Sequence, residues 1–393
     1  MVSSSSNPFR QYFILDYSIH FLNHGSFGAC PIPVFQVYQD WQKRLENQPV
    51  KFLGRDLFAF DQQARQILGT FLQTDPSNLS FITNSTQGVN IISRSLKLQP
   101  GDEILATDHE YGACEYAWEF ACKQTGARYV IQPISLPINS EQELFEKIWS
   151  SVTPQTKVIY LSHITSPTAL LFPVQAICTR AKELGILTVV DGAHAPGQIT
   201  LNLDSLGADF YVGNCHKWML SPKGAGFLYA RPEVQQIIQP LVVSWGYHST
   251  PSTTIGSQFQ DYLQWTGTRD PSASLAVPAA IQFMEDHHWS QVQSNCHCLL
   301  ASTIERICNL TGLEPLYPIQ STLFLQMGIA PLPSGINLAE LKSRLYTDFN
   351  VEIPLVEWDD QNFIRISIQA YNTQEDCDAL LQGLSQLLPN KCK

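Results

Sequence analysis

The sequence predicts an α/β fold, a mostly parallel sheet built of βαβ units, followed by a smaller α+β region. Three observations lead there. Between about residues 76 and 231, short apolar runs alternate with helix-like stretches of roughly ten to fifteen residues, the pattern of βαβ units. The runs are close to continuously apolar, as strands covered on both faces must be. After about residue 275 the pattern changes to long helical stretches with a few strands between them.

Each element follows in order. "NLSFITN" (78–84) reads as a strand and "STQGVNIISRSL" (85–96) as a turn and helix. "GDEILATD" (101–108) is a strand, and "YGACEYAWEFACKQTG" (111–126) a helix ended by Gly126. "TKVIYLSHI" (156–164) is a strand, "VQAICTRAKELG" (174–185) a helix closed by Gly185, and "ILTVVDG" (186–192) a strand. Segment 238–271 reads as mostly loop. Beyond it come a long helical pattern (277–310), a strand at "STLFLQMGI" (321–329), a helix near 337–349, a strand at "NFIRISIQA" (362–370) and a last helix from 373. The expected organisation is an N-terminal segment (1–20), a large domain (21–275) and a small C-terminal domain (276–393) joined by the long helix.

Composition narrows the function. Apolar residues make up 44% of the 393, charged residues only 15%, and net charge is -11. That is a globular composition. With no basic run, it argues against nucleic acid or an anionic membrane surface as partner. "MVSSSSNPFRQYF" lacks an apolar signal core, and no apolar stretch reaches membrane-spanning length, so the expectation is a soluble cytoplasmic protein. The ten cysteines (30, 114, 122, 178, 215, 296, 298, 308, 377 and 392) read as reduced, mostly buried thiols. "EDHHWSQVQSNCHC" gathers His287, His288, Cys296, His297 and Cys298, but in a spacing that matches no structural zinc pattern.

The chemistry should lie where strands run out, since ligands collect beyond the carboxyl ends of a parallel sheet. "VVDGAHAPG" sets Asp191 at such an end, and Lys217 follows the next strand in "DFYVGNCHKW". A buried carboxylate and a buried amine are both costly without compensation. Pyridoxal 5'-phosphate needs both groups, an amine for a Schiff base and an acid partner for its pyridine nitrogen. A structural Asp–Lys ion pair is the alternative. Ser85, Thr86 and Gly88 sit where a strand enters a helix, a ready phosphate site, although simple N-capping would use the same hydroxyls. Tyr111, in "DHEYGA", could lie flat over a planar ring or pack as an ordinary aromatic. His194 could reach ring substituents, and His216 could bond phosphate or be a core histidine.

"LNHGSFGACP" (22–31), "EYGA" (110–113), "SHITSPTA" (162–169), "DGAHAPG" (191–197), "HKW" (216–218), "SWGY" (244–247), "WTGTRD" (265–270) and "RISIQAYNT" (365–373) occur in this order. Together they resemble the class V aminotransferase family of fold-type I pyridoxal phosphate enzymes, and within it the isopenicillin N epimerase-like branch. The resemblance implies a large domain with a seven-stranded sheet and a homodimer. It implies that Lys217 is the internal-aldimine lysine, Asp191 the pyridinium partner and Tyr111 the ring-stacking residue. His194 then lies near the ring oxygen, with Ser85, Thr86 and His216 on the phosphate and Ser166 near the ring. Thr268 would reach the phosphate of the neighbouring subunit. Arg365 would receive the substrate α-carboxylate, a bidentate contact that lysine could not imitate, with Asn23 and His24 near the substrate.

Two departures shape the functional expectation. No cysteine stands between Cys308 and Cys377, which disfavours persulfide relay of the desulfurase kind. Ser166, followed by Pro167, occupies a place where many relatives carry Asn, which weakens the case for transamination. The expected activity is abstraction of an amino acid's α-proton within an external aldimine, with Lys217 as base and Tyr111 as the second acid/base of an epimerase. β-Elimination by a C–S lyase, on a cysteine-, cystine- or ergothioneine-type substrate, is the runner-up. An aminotransferase and a silent pyridoxal-binding protein follow.

Overall fold

The structure, a computed structural model, describes residues 7–250 and 255–389; Cys392 of the cysteine set lies outside them. Its strands are β1 (His20–Phe21), β2 (Leu79–Ile82), β3 (Glu103–Thr107), β4 (Arg128–Gln132), β5 (Thr156–Ser162) and β6 (Leu187–Gly192). They continue as β7 (Phe210–Asn214), β8 (Gly226–Ala230), β9 (Met327–Leu332), β10 (Val351–Glu352), β11 (Leu355–Trp358) and β12 (Gln361–Ser367). A seven-stranded sheet has the order β2-β8-β7-β6-β5-β3-β4. Only β8 opposes its neighbours; the other adjacent pairs are parallel.

Side chains along the central strands divide between two apolar clusters, one on each face. On β5, Ile159 and Leu161 join one cluster, and Val158 and Tyr160 the other. That alternation is the pleat of a strand covered on both sides, and it explains the unbroken apolar runs of the sequence. Because β2, β3, β5, β6 and β7 point the same way, their carboxyl ends share one edge of the sheet.

The C-terminal part is a three-stranded antiparallel sheet, β11-β12-β9, with helices packed on it. The chain's opening segment docks onto this part. β1 pairs with β10, and Arg10 and His20 both reach Asp376, at 3.0 and 2.8 Å.

Three expectations need correction. The long helix is two, Val277–Asp286 and Trp289–Thr311, parted at His288, which takes a left-handed backbone (φ 50°). No Gly or Pro announces the break, but histidine tolerates that conformation better than most residues. The break lets His287 and Trp289 pack with Phe9 and Phe283, and His287 Nδ1 lies 2.7 Å from the Phe283 carbonyl. The strand expected at 321–329 starts only at Met327. It is an edge strand that admits Pro331. Segment 238–271 contains a helix, Gln258–Gln264, whose polar sequence hides a buried face. There the Gln260 amide donates to the carbonyls of Pro76, Ser77 and Leu79 beside β2.

Candidate active site

The shared strand edge opens into a cavity of about 230 Å³ walled by Ser85, Thr86, Tyr111, Asp191, His194 and Lys217, with Ser26, Ser166 and His216. Ile82 leads to Ser85, Thr107 to Tyr111, Ser162 to Ser166, and Asn214 to Lys217, while Asp191 lies within the end of β6. The strand order sets their sides. Lys217 enters from the β7 side of Asp191 and Tyr111 from the β3 side, strands three steps or about 14 Å apart. A larger cleft of about 500 Å³ lies beside Phe58, Trp245 and Trp265. Its described walls are mostly apolar and hold no lysine, so the chemistry belongs to the smaller cavity.

Lys217 follows β7 by three residues. Its amine lies 3.1 Å from Nε2 of His194, while the Trp218 indole N–H donates to Nδ1 of the same ring at 3.2 Å. Burial pulls the Lys217 amine down to about 8; Asp191 partly opposes the shift and Arg365 adds to it. Burial also drives His194 well below the usual imidazole value, with Lys217 and Arg365 adding to the effect. One short segment, the helix His24–Phe27 and the Gly28 that ends it, clasps the lysine's backbone. His24 Nε2 meets the Lys217 carbonyl at 3.2 Å. Gly28 (φ 70°) comes so close that a Cβ there would stand 2.1 Å from the His216 carbonyl oxygen.

Asp191 accepts from the Ala193 N–H at 2.9 Å on one oxygen, and from Tyr160 Oη (3.3 Å) and Cys114 Sγ (3.6 Å) on the other. Burial raises its pKa, against the pull of those donors and of Lys217.

At the other end of the cavity, the helix Ser85–Ser95 is capped by Asn84, whose side chain accepts the Gln87 N–H at 2.9 Å. Capping therefore does not consume Ser85 or Thr86. The Ser85 N–H is held by Asn214 Oδ1 at 2.8 Å, while its buried hydroxyl has no partner among the described residues. A small hydroxyl left unsatisfied at a helix N-terminus suits an anion. His216 lines the same cavity, with Nδ1 3.0 Å from the Ala225 carbonyl.

Arg365, on β12, is 7% exposed and has no acidic partner among the described residues. It donates to the Ser166 carbonyl at 2.5 Å and to Ser26 Oγ at 3.1 Å, two residues of the cavity wall, and its Nε has no partner among the described residues. Burial lowers the guanidinium to about 10, which leaves it charged near neutrality.

Asn23 and His24 stand behind the wall rather than on it. Asn23 accepts the Ser26 hydroxyl at 2.6 Å and donates to Glu352 at 3.1 Å. His24 is fully buried, with Nδ1 2.9 Å from Tyr371 Oη, and desolvation holds it near 3. Thr268 is exposed and is no part of this chain's cavity wall. Residue-by-residue reasoning missed Ser26, Asn84, Asn214 and Trp218. Asn84 was readable as the better N-cap; the others had no signal of their own.

These groups fit pyridoxal phosphate: a half-buried amine, a buried carboxylate for a cationic ring nitrogen, and a helix N-terminal hydroxyl without a partner among the described residues. The model for "Aminotransferase class-V" matches residues 31–330. The chain belongs to the class V aminotransferase family. It is 34% identical to an isopenicillin N epimerase of Amycolatopsis lactamdurans, over 98% of this chain and 100% of that one. To an isopenicillin N epimerase of Streptomyces clavuligerus it is 31% identical, covering 96% and 97%. The solved structure of the cystine C–S lyase C-DES with its product cysteine persulfide shares the fold. Its TM-score is 0.82 at 21% identity, covering 94% of this chain and 98% of that one. The chain is thus a pyridoxal phosphate-dependent enzyme of fold type I.

Proposed function

We propose that this enzyme moves the α-proton of an amino acid or amino-acid derivative and returns it to the opposite face, as an epimerase. Lys217 anchors the cofactor, and Asp191 faces its ring nitrogen. Ser85, Thr86 and His216 hold the phosphate, and Tyr111 covers the ring. When bound, the cofactor supplies the electron sink that makes a Cα–H removable near neutral pH. Arg365 takes the α-carboxylate and fixes the Cα–H direction; the Lys217 amine takes the proton. The observation that carries the reading is that Lys217 and Tyr111 line one cavity and follow strands that lie on either side of β6, the strand of Asp191. Epimerisation calls for a second proton carrier beside the lysine, whereas β-elimination needs one.

The homodimer belongs to the same proposal, with Thr268 serving the partner's site. Phe27, on the cavity wall, is 74% exposed, and Trp245, in the "SWGY" stretch, is 84% exposed. Exposed apolar groups of that size, one on the cavity wall and one on the larger cleft, are suited to cover by a second copy. The proposed setting is the cytoplasm. No helix among the described residues is long and apolar enough to cross a membrane.

The test is a panel of amino acids and isopenicillin N in deuterated water. Expected is inversion at Cα, seen as a change in optical rotation, together with deuterium at Cα. Release of pyruvate or sulfide without racemisation would replace the epimerase by a C–S lyase.

A further inference from the structure

The buried ring of His194 is held from both ends, and the two partners differ in what they can offer. On one side stands the Trp218 indole, which can only donate; on the other stands the Lys217 amine. An indole N–H at 3.2 Å requires a lone pair on Nδ1. A neutral imidazole with a bare Nδ1 carries its proton on Nε2. Nε2–H then points at the Lys217 nitrogen, 3.1 Å away. An ammonium there would set N–H against N–H, whereas a neutral amine accepts. The other two states of the ring fail at the indole, since Nδ1–H and the imidazolium both oppose a donor that cannot turn round.

We infer that Trp218 is a positioning residue: its indole N–H fixes His194 as the Nε2–H tautomer, and that tautomer favours the neutral, cofactor-ready form of the Lys217 amine. Trp218 is fully buried against the His24 ring, 4.8 Å between centroids, so the indole cannot swing away. His194 thus shows the cavity an N–H and never a lone pair. Other charges bear on the pair. Asp191 and Cys114 favour the ammonium form of Lys217 and Arg365 opposes it, while His24, His216 and Arg365 oppose charging of His194. The consequence for the cofactor rests on Lys217 being its anchor; the tautomer does not.

Two measurements test the inference. The first is 15N NMR of histidine-labelled apoprotein at pH 7, with the His194 signals assigned by their loss in His194→Leu. Expected is a protonated Nε2 and a bare Nδ1; an Nδ1–H or imidazolium signature would overturn the inference without any use of cofactor. The second is the pH dependence of pyridoxal phosphate uptake by apoprotein. In Trp218→Phe the ring is free to offer a lone pair to an ammonium, so the uptake midpoint should rise by about one pH unit, roughly tenfold slower uptake at a fixed lower pH. In a His194→Leu background, Trp218→Phe should move it no further. A shift that persists there would mean that Trp218 acts by packing alone and would refute the relay. Should Trp218→Phe fail to fold, the wild-type NMR signature still decides. A wrong anchor would show separately, as cofactor fixed by borohydride to a lysine other than Lys217.

Discussion

Arg365 and Ser26 meet across 339 residues of chain, the guanidinium donating to Ser26 Oγ at 3.1 Å. The Ser26 hydroxyl donates to Asn23 Oδ1, and the Asn23 amide donates in turn to Glu352. The guanidinium is therefore oriented without being neutralised, as a site for an incoming carboxylate requires. Arg365→Ala should cost about 2–4 kcal/mol, roughly 30- to 1000-fold in kcat/KM, with cofactor loading unchanged. Arg365→Lys keeps charge but loses the fork and should be nearly as damaging. Near-normal kcat/KM with a lowered Tm in both variants would make Arg365 a structural residue.

Lys217 should carry the cofactor. Borohydride reduction followed by peptide mapping should find it on Lys217 alone, and Lys217→Ala should lose covalent attachment. Lys223 is the internal control. It is exposed, six residues on, and its amine donates to the Gly28 carbonyl at 2.9 Å. Label on Lys223 would move the site.

Shared active sites predict complementation. Lys217→Ala and Thr268→Ala homodimers should each be impaired. After subunit exchange, one site of each mixed dimer carries both defects and the other neither, so activity should reappear up to about half of wild type per mixed dimer. Proven exchange without recovery would leave Thr268 serving no neighbour.

Acid should loosen the apoprotein through its buried histidines. Burial lowers His24 and His163 to about 3 and His216 to about 4. In each case the unfolded chain binds the proton first, so stability is present above about 6.5 and is lost as pH falls toward the folded values. Glu110, raised by burial to about 8, works the other way, binding its proton first in the folded state. Tm should fall between pH 7.5 and 5. His163→Gln, which removes the ring 3.0 Å from Tyr211 Oη, should make that drop shallower. An unchanged drop would mean that His163 does not carry its share.

The large sheet was legible because alternation of apolar runs and helices survives in one dimension. Asp191 and Lys217 stood out because charge at the end of a buried strand is expensive. What lay hidden depends on pairing across the chain. β4 and β8 are five-residue strands, and β8 opposes its neighbours, which no local pattern reveals. His24 was expected at the substrate, but its ring is spent on the Lys217 carbonyl and Tyr371, contacts between loops about 193 and 347 residues apart in sequence. The Ser85 hydroxyl was open to two readings until Asn84 took the cap. The Trp218–His194 bond had no sequence signal at all, since a tryptophan beside a lysine reads as core.

Tyr111 decides between one proton carrier and two. It caps the start of the helix Gly112–Thr125 and is 48% exposed at the cavity, so its ring is available to a flat ligand and its hydroxyl to solvent or substrate. Tyr111→Phe preserves the ring and removes only the hydroxyl. If that hydroxyl returns the proton on the face away from Lys217, epimerisation should fall by roughly 10²- to 10⁴-fold, the usual worth of a general acid. Removal of the α-proton by Lys217 should persist. In deuterated water the variant should therefore wash deuterium into Cα with configuration retained, because Lys217 takes and returns on its own face. Wild type should place deuterium in the inverted product. Equal losses of exchange and inversion would mean that Tyr111 acts only through stacking, and that water or another side chain supplies the second proton. Unchanged inversion would remove Tyr111 from the chemistry. Following exchange and optical rotation in the same sample separates the three outcomes.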